Sequence, residues 1–215
     1  MNARRFPSAA HAALASAVIV LIATVALAGC SAPTVPDFTY YRLPRPAPLE
    51  AAPAPLFGDV VVDVFAADGL YGDQALIYAT DPGAQELRQY HYQLWTDPPT
   101  RVLQRRMIEQ LRKTSIAGEV TDELPASHPA IRISGIILRF DRAPNEAGGF
   151  TATVALKLRA DDASGVPMLD DYYRAEKPAA DATMRATVDA YGAALDQVYA
   201  AFYADLRRKG EQHAG

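Results

Sequence analysis

The spacing of apolar residues changes period repeatedly along the chain, and each change marks an element. FTYYRL, residues 38–43, is aromatic and β-favouring and predicts a short first strand. DVVVDVF, residues 59–65, predicts a second, with Val60, Val62 and Val64 on one face. Two glycine-bearing turns in AADGLYGDQ lead into ALIYAT, a third. In LRQYHYQLW, residues 87–95, Tyr90, Tyr92 and Leu94 face one way while His91, Gln93 and Trp95 face the other. A helix follows at once: Thr96 or Asp97 can cap it, and Pro98 and Pro99 fit a first turn where their missing N–H groups cost nothing. Leu103, Met107, Ile108 and Leu111 build its apolar face through Arg112.

The second half contains longer periods. AIRISGIILRF places Ile131 and Ile133 on one parity and Ile136, Leu138 and Phe140 on the other, so a β-bulge is expected at Gly135. FTATVALKLRA alternates cleanly, with Thr151, Thr153, Lys157 and Arg159 expected in water. PMLDDYYRAE reads as a last, shorter strand. From Asp181 to Arg208, Met184, Val188, Tyr191, Leu195, Val198, Phe202 and Leu206 recur at steps of four and three. They predict a long amphipathic helix capped by Asp181 and packed on the domain's own sheet. The sum is an α+β domain: one antiparallel or mixed sheet of about six or seven strands with two main helices on one face. PRPAPLEAAPAP, between the first two strands, reads as a linker or surface loop.

The N-terminus has a different pattern. Two arginines precede an uncharged apolar run from Ala12 to Gly29, and LAGC closes it with small residues before Cys30, the only cysteine. A charged start, an apolar centre and a small-residue end form an export signal, whereas an uncleaved anchor helix has no need of this ending. Residues 1–29 are therefore read as a signal peptide, 30–37 as a tether, 38–209 as the folded domain and 210–215 as a flexible C-terminus. Loss of Arg4 and Arg5 with the signal takes the formal charge from −4 to −6, a poor balance for nucleic-acid binding. With 215 residues, half of them hydrophobic, the chain can bury a substantial core.

Candidate chemistry is sparse. Ser127 and His128 are neighbours in a Pro-flanked loop, which points their side chains apart, and no G-x-S-x-G elbow, H-E-x-x-H, CxxC, P-loop or GxGxxG occurs. Asp161–Asp162 and Asp170–Asp171 flank the turn ASGVP and read as solvated turn acids. No catalytic, metal or cofactor site is expected. Aromatics are the more suggestive class: Tyr71, between two glycines, is the candidate for an exposed partner contact, with Tyr90, Tyr92 and Trp95 beside it.

LAGC also meets in full the lipobox pattern of bacterial lipoproteins, which implies acyl and diacylglycerol modification of Cys30, and Ser31 implies sorting to the outer membrane. YYRL, VVVDVFAADGLYGDQALIYAT and YHYQLWTDPPTRVLQRRMIEQLR resemble the ABC-type transport auxiliary lipoprotein family, which includes the paraquat-inducible lipoprotein of the outer membrane. The loop ADGLYGDQ departs from the Leu-Asp-Arg expected there. The resemblance implies a noncatalytic accessory of an ABC-linked lipid transport system, facing the periplasm and meeting an MCE-type protein, with homo-oligomerisation compatible with a docking collar. The alternatives are a lipid carrier, holding an acyl chain between the sheet and the long helix, and a hydrolase built on Ser127 and His128.

Overall fold

The computed structural model describes residues 36–125 and 128–214. Phe38–Gly215 form one compact unit. Its strands are β1 (Thr39–Tyr41), β2 (Phe57–Val62), β3 (Ala66–Ala67), β4 (Ala75–Ala79), β5 (Leu87–Trp95), β6 (Ala117–Thr121), β7 (Ala130–Pro144), β8 (Phe150–Asp161) and β9 (Pro167–Pro178). Its helices are α1 (Pro99–Arg112) and α2 (Met184–Ala214), and a 3-10 turn spans Gly69–Gly72. The architecture is α+β, as the apolar pattern predicts. Among the described residues one mixed sheet holds nine strands rather than six or seven, because β3 has only two residues and β6 lies in a segment with no clean alternation.

Strand β7 is the spine. Along one edge it receives β2, β3 and β4 in succession, all parallel to it, at Val60↔Ile131, Ala66↔Ile136 and Ile77↔Asp141. Its other edge carries the antiparallel meander β7–β8–β9. Beyond β4 come antiparallel β5 and then β1, parallel to β5; beyond β2 comes β6. The bulge in β7 falls between Ile137 and Arg139 rather than at Gly135. The inward parity of Ile131 and Ile133 persists to Ile137, fully buried, and leaves Ile136 exposed. Gly135 has another reason to lack a side chain: a Cβ there would stand 3.0 Å from the Phe65 ring and from Leu158. Thr153, expected in water, is buried as well.

Helix α2 packs on β8 and β9, and α1 on β2 and β6. The α2 stripe is buried throughout from Val188 through Leu195, Val198 and Phe202 to Leu206. At the junction of the layers Trp95, Phe140 and Tyr191 form a ring triangle with centroids 5.2, 5.6 and 4.6 Å apart. Each such pair contributes about 0.5–1.5 kcal/mol beyond its area burial. Thr183, not Asp181, caps α2: its hydroxyl accepts from Ala186 N at 3.1 Å. Asp181 accepts from Thr183 N at 2.7 Å, and its bonds to Thr183 hold its carboxyl below the usual range. Helix α1 starts from Pro98 without a side-chain cap. Asp97 instead pairs with Arg105 at 2.9 Å.

Residues 44–55, read from the sequence as a linker or surface loop, are a strap fastened across both helices. Arg106 on α1 donates to Pro44 O at 2.5 Å and pairs with Asp196 on α2 at 2.7 Å. Gln110 donates to Ala47 O at 2.9 Å, Tyr203 to Glu50 O at 2.7 Å and Ala47 N to Asp196 at 3.1 Å. Proline-rich chain has few donors, so the helices supply them. Gly192 permits the approach, since a Cβ there would stand 2.4 Å from the Pro44 ring. Gly210 plays the same part under Phe57, and the helix continues past the last stripe residue to Ala214. Among the described residues no helix is long and apolar enough to cross a membrane.

Candidate functional site

The aromatic residues divide into a buried set and an exposed one. Tyr71, expected at the surface, turns inward from its 3-10 turn, and its hydroxyl donates to Asp141 at 2.6 Å. Asp141 is fully buried and also accepts from Arg139 at 3.0 and 2.6 Å. Burial, reinforced by the carboxylate, pushes the Tyr71 phenol well above its usual range. Trp95 is likewise a core residue, 1% exposed. Neither presents a contact surface. The glycines around Tyr71 suggested exposure, but its acceptor lies seventy positions along the chain, where no local pattern reveals it.

Tyr90 is half-buried. Its ring stacks on Tyr78 with centroids 4.4 Å apart, and its hydroxyl accepts from Arg142 at 2.5 Å. The Arg142 guanidinium lies 3.8 Å over Phe150 and donates to Thr187 on α2 at 2.9 Å, so π faces and hydroxyls compensate its charge. Burial raises the Tyr90 phenol. This group joins β4, β5, β7 and β8 to the start of α2 and is structural.

Tyr92 is half-buried and adjoins the exposed set. The β1–β5 register, Thr39↔Gln93 and Tyr40↔Leu94, brings Phe38 beside Tyr92, with ring centroids 5.5 Å apart. Two-residue alternation places Tyr40 on the same face as Phe38. Phe38 and Tyr40 are 58% and 56% exposed, large values for aromatic side chains on a sheet. Tyr41, next along the strand and of opposite parity, points inward and donates to Gln93 at 2.6 Å. This three-ring edge is the site that the geometry isolates. Of these rings only Tyr92 stands among the contact candidates read from the sequence; the alternation in FTYYRL carries the signal for Phe38 and Tyr40.

Other polar groups are engaged structurally. His128 Nε2 lies 2.6 Å from Asp59 Oδ2, an exposed pair bridging β2 and the loop before β7; Ser127 and Cys30 lie outside the described residues. Asp161 pairs with Arg159 at 2.7 Å and Asp170 with Lys157 at 3.2 Å. Asp162 accepts from Ser164 N and Val166 N at 2.8 and 2.9 Å, closing the β8–β9 turn. Asp171 accepts from Tyr172 N. Among the described residues no three His, Cys, Asp or Glu side chains gather as metal ligands. Between α2 and the sheet, Tyr191, Leu195, Tyr199 and Phe202 occupy the space where an acyl chain would lie. An open groove of about 460 Å³ lies instead on the outer side of α2, lined by Leu49, Glu50, Tyr203 and Arg207 among others.

A protein from Xanthomonas campestris, of the DUF330 family, has a similar structure: TM-score 0.68 and 18% identity over 82% of this chain and 99% of that one. A second, uncharacterized protein is similar at TM-score 0.60 and 15% identity over 81% and 99%. At these identities the likeness establishes the fold. No curated protein matches the chain. The model of the ABC-type transport auxiliary lipoprotein component matches residues 41–201, from the last residue of β1 to the middle of α2, and the chain therefore belongs to that family.

Proposed function

We propose that this chain is a noncatalytic, lipid-anchored accessory subunit at the outer membrane, facing the periplasm and docking an MCE-type protein of an ABC-linked lipid transport system. The family match over residues 41–201 carries the reading, and LAGC at Leu27–Cys30 supplies the anchor. Acylation of Cys30 provides more than the two membrane signals that stable anchoring needs. Confinement at one surface raises the local concentration of the domain for a partner reaching across from the other. A filled interface between helix and sheet favours an adaptor over a carrier.

The test is chemical crosslinking in cells, followed by affinity capture of the lipidated full-length protein. Recovery of an MCE-type protein is expected; copurifying lipid with no transport protein would establish the carrier instead. A Cys30→Ala variant should leave the membrane fraction and lose function while keeping its fold. Retained function in soluble form would refute the anchoring role.

A further inference from the structure

The ring group of Phe38, Tyr40 and Tyr92, two exposed rings against a half-buried one, occupies a particular place in the chain. Phe38 is the first residue of the compact unit. The eight peptide steps from Cys30 to Phe38 span at most about 29 Å when fully extended. A patch at this position stays close to the lipid surface however the domain is turned. Arg42 and Arg45, both exposed, follow within seven residues of Phe38. Phenyl and phenol rings followed closely in sequence by exposed guanidinium side chains suit the headgroup level of a bilayer: the rings enter the upper acyl region, while hydroxyls and cations remain among the phosphates.

We infer that Phe38, Tyr40 and Tyr92, with Arg42 and Arg45, seat the domain on the lipid surface of the membrane that holds its own N-terminal anchor. This rests on the lipoprotein reading and adds an orientation to it. An anchor alone fixes distance and lets the domain tumble; a seated aromatic edge fixes which side faces outward. Val166, in the β8–β9 turn and 57% exposed, lies across the sheet from β1, with β5, β4, β7 and β8 between. Seating one edge turns that turn away from the lipid.

The experiment uses lipidated full-length protein reconstituted into phosphatidylethanolamine–phosphatidylglycerol vesicles, with and without brominated acyl chains. Trp95 is the only tryptophan and is buried, so it gives a constant background. Tyr40→Trp adds a reporter in the patch, Phe38→Trp a second, and Val166→Trp one at the far side. Added emission at positions 38 and 40 is expected to be mostly lost in brominated vesicles, with that at 166 unchanged. Unquenched reporters at 38 and 40 on protein that floats with the vesicles would overturn the seating and leave the anchor intact. Protein that fails to float would overturn both. Blue-shifted but unquenched emission at 38 and 40 would assign the patch to a protein partner or second copy, again overturning the seating.

Discussion

Strand β5 ends in Trp95, a core residue, and three positions earlier carries Tyr92, half-buried beside two exposed rings. The two aromatic sets draw on the same residue types and differ in what covers them. Trp95 lies under Tyr191 of α2 and against Phe140 of β7, each at most 2% exposed. Phe38, just before β1, and Tyr40, within it, stand where among the described residues no further strand follows in the sheet order, and each is more than half exposed. Aromatic content alone therefore says nothing about binding; parity and cover decide.

Substitutions should separate the sets in order of size. Trp95→Ala should cost about 3–5 kcal/mol, as the large cavity beside Phe140 and Tyr191 cannot fully collapse; chemical denaturation measures it. Asp141→Ala should cost about 3 kcal/mol by stranding the Arg139 guanidinium and the Tyr71 hydroxyl. Tyr71→Phe should cost about 1 kcal/mol at neutral pH and change the alkaline limb. The folded-state phenol is raised above its unfolded value, so its contribution is complete below pH about 10 and lost as pH rises further. The variant should therefore lose less stability than the parent above that pH. Paired Phe38→Ser and Tyr40→Ser should shift stability by no more than about 0.5 kcal/mol. A loss of several kcal/mol there would erase the distinction between the two sets.

Where a segment's own period decides its structure, the sequence was readable. Strand β5 spans the nine residues whose alternation predicts it, and α1 ends at Arg112 as its apolar face does. Partners distant in sequence explain the rest. Strand β6 exists because β2 pairs with it at Val60↔Val120; AGEVT has no strong period of its own. Residues 44–55 look like a linker or surface loop until Arg106, Gln110 and Tyr203 supply the donors that prolines lack. The parity change in β7 was legible, yet its position was not, because Phe65 and Leu158 rather than a bulge explain Gly135. Among the candidate contacts, Tyr71 was misplaced because its acceptor Asp141 belongs to a different strand.

The spine arrangement of β7 also bears on the order of events as the chain is made. Strands β2, β3 and β4 all take β7 as their parallel neighbour, so the β2–β6 pair and the β1–β5–β4 group join into one sheet only when residues 130–144 arrive. Such long-range parallel pairing is intrinsically slow to form. In a chain made from its N-terminus, this delay sets the order of assembly. The leading segment holds small separate pairings, β2 with β6 and β4 with β5, and closes into one sheet only when its template strand has been made.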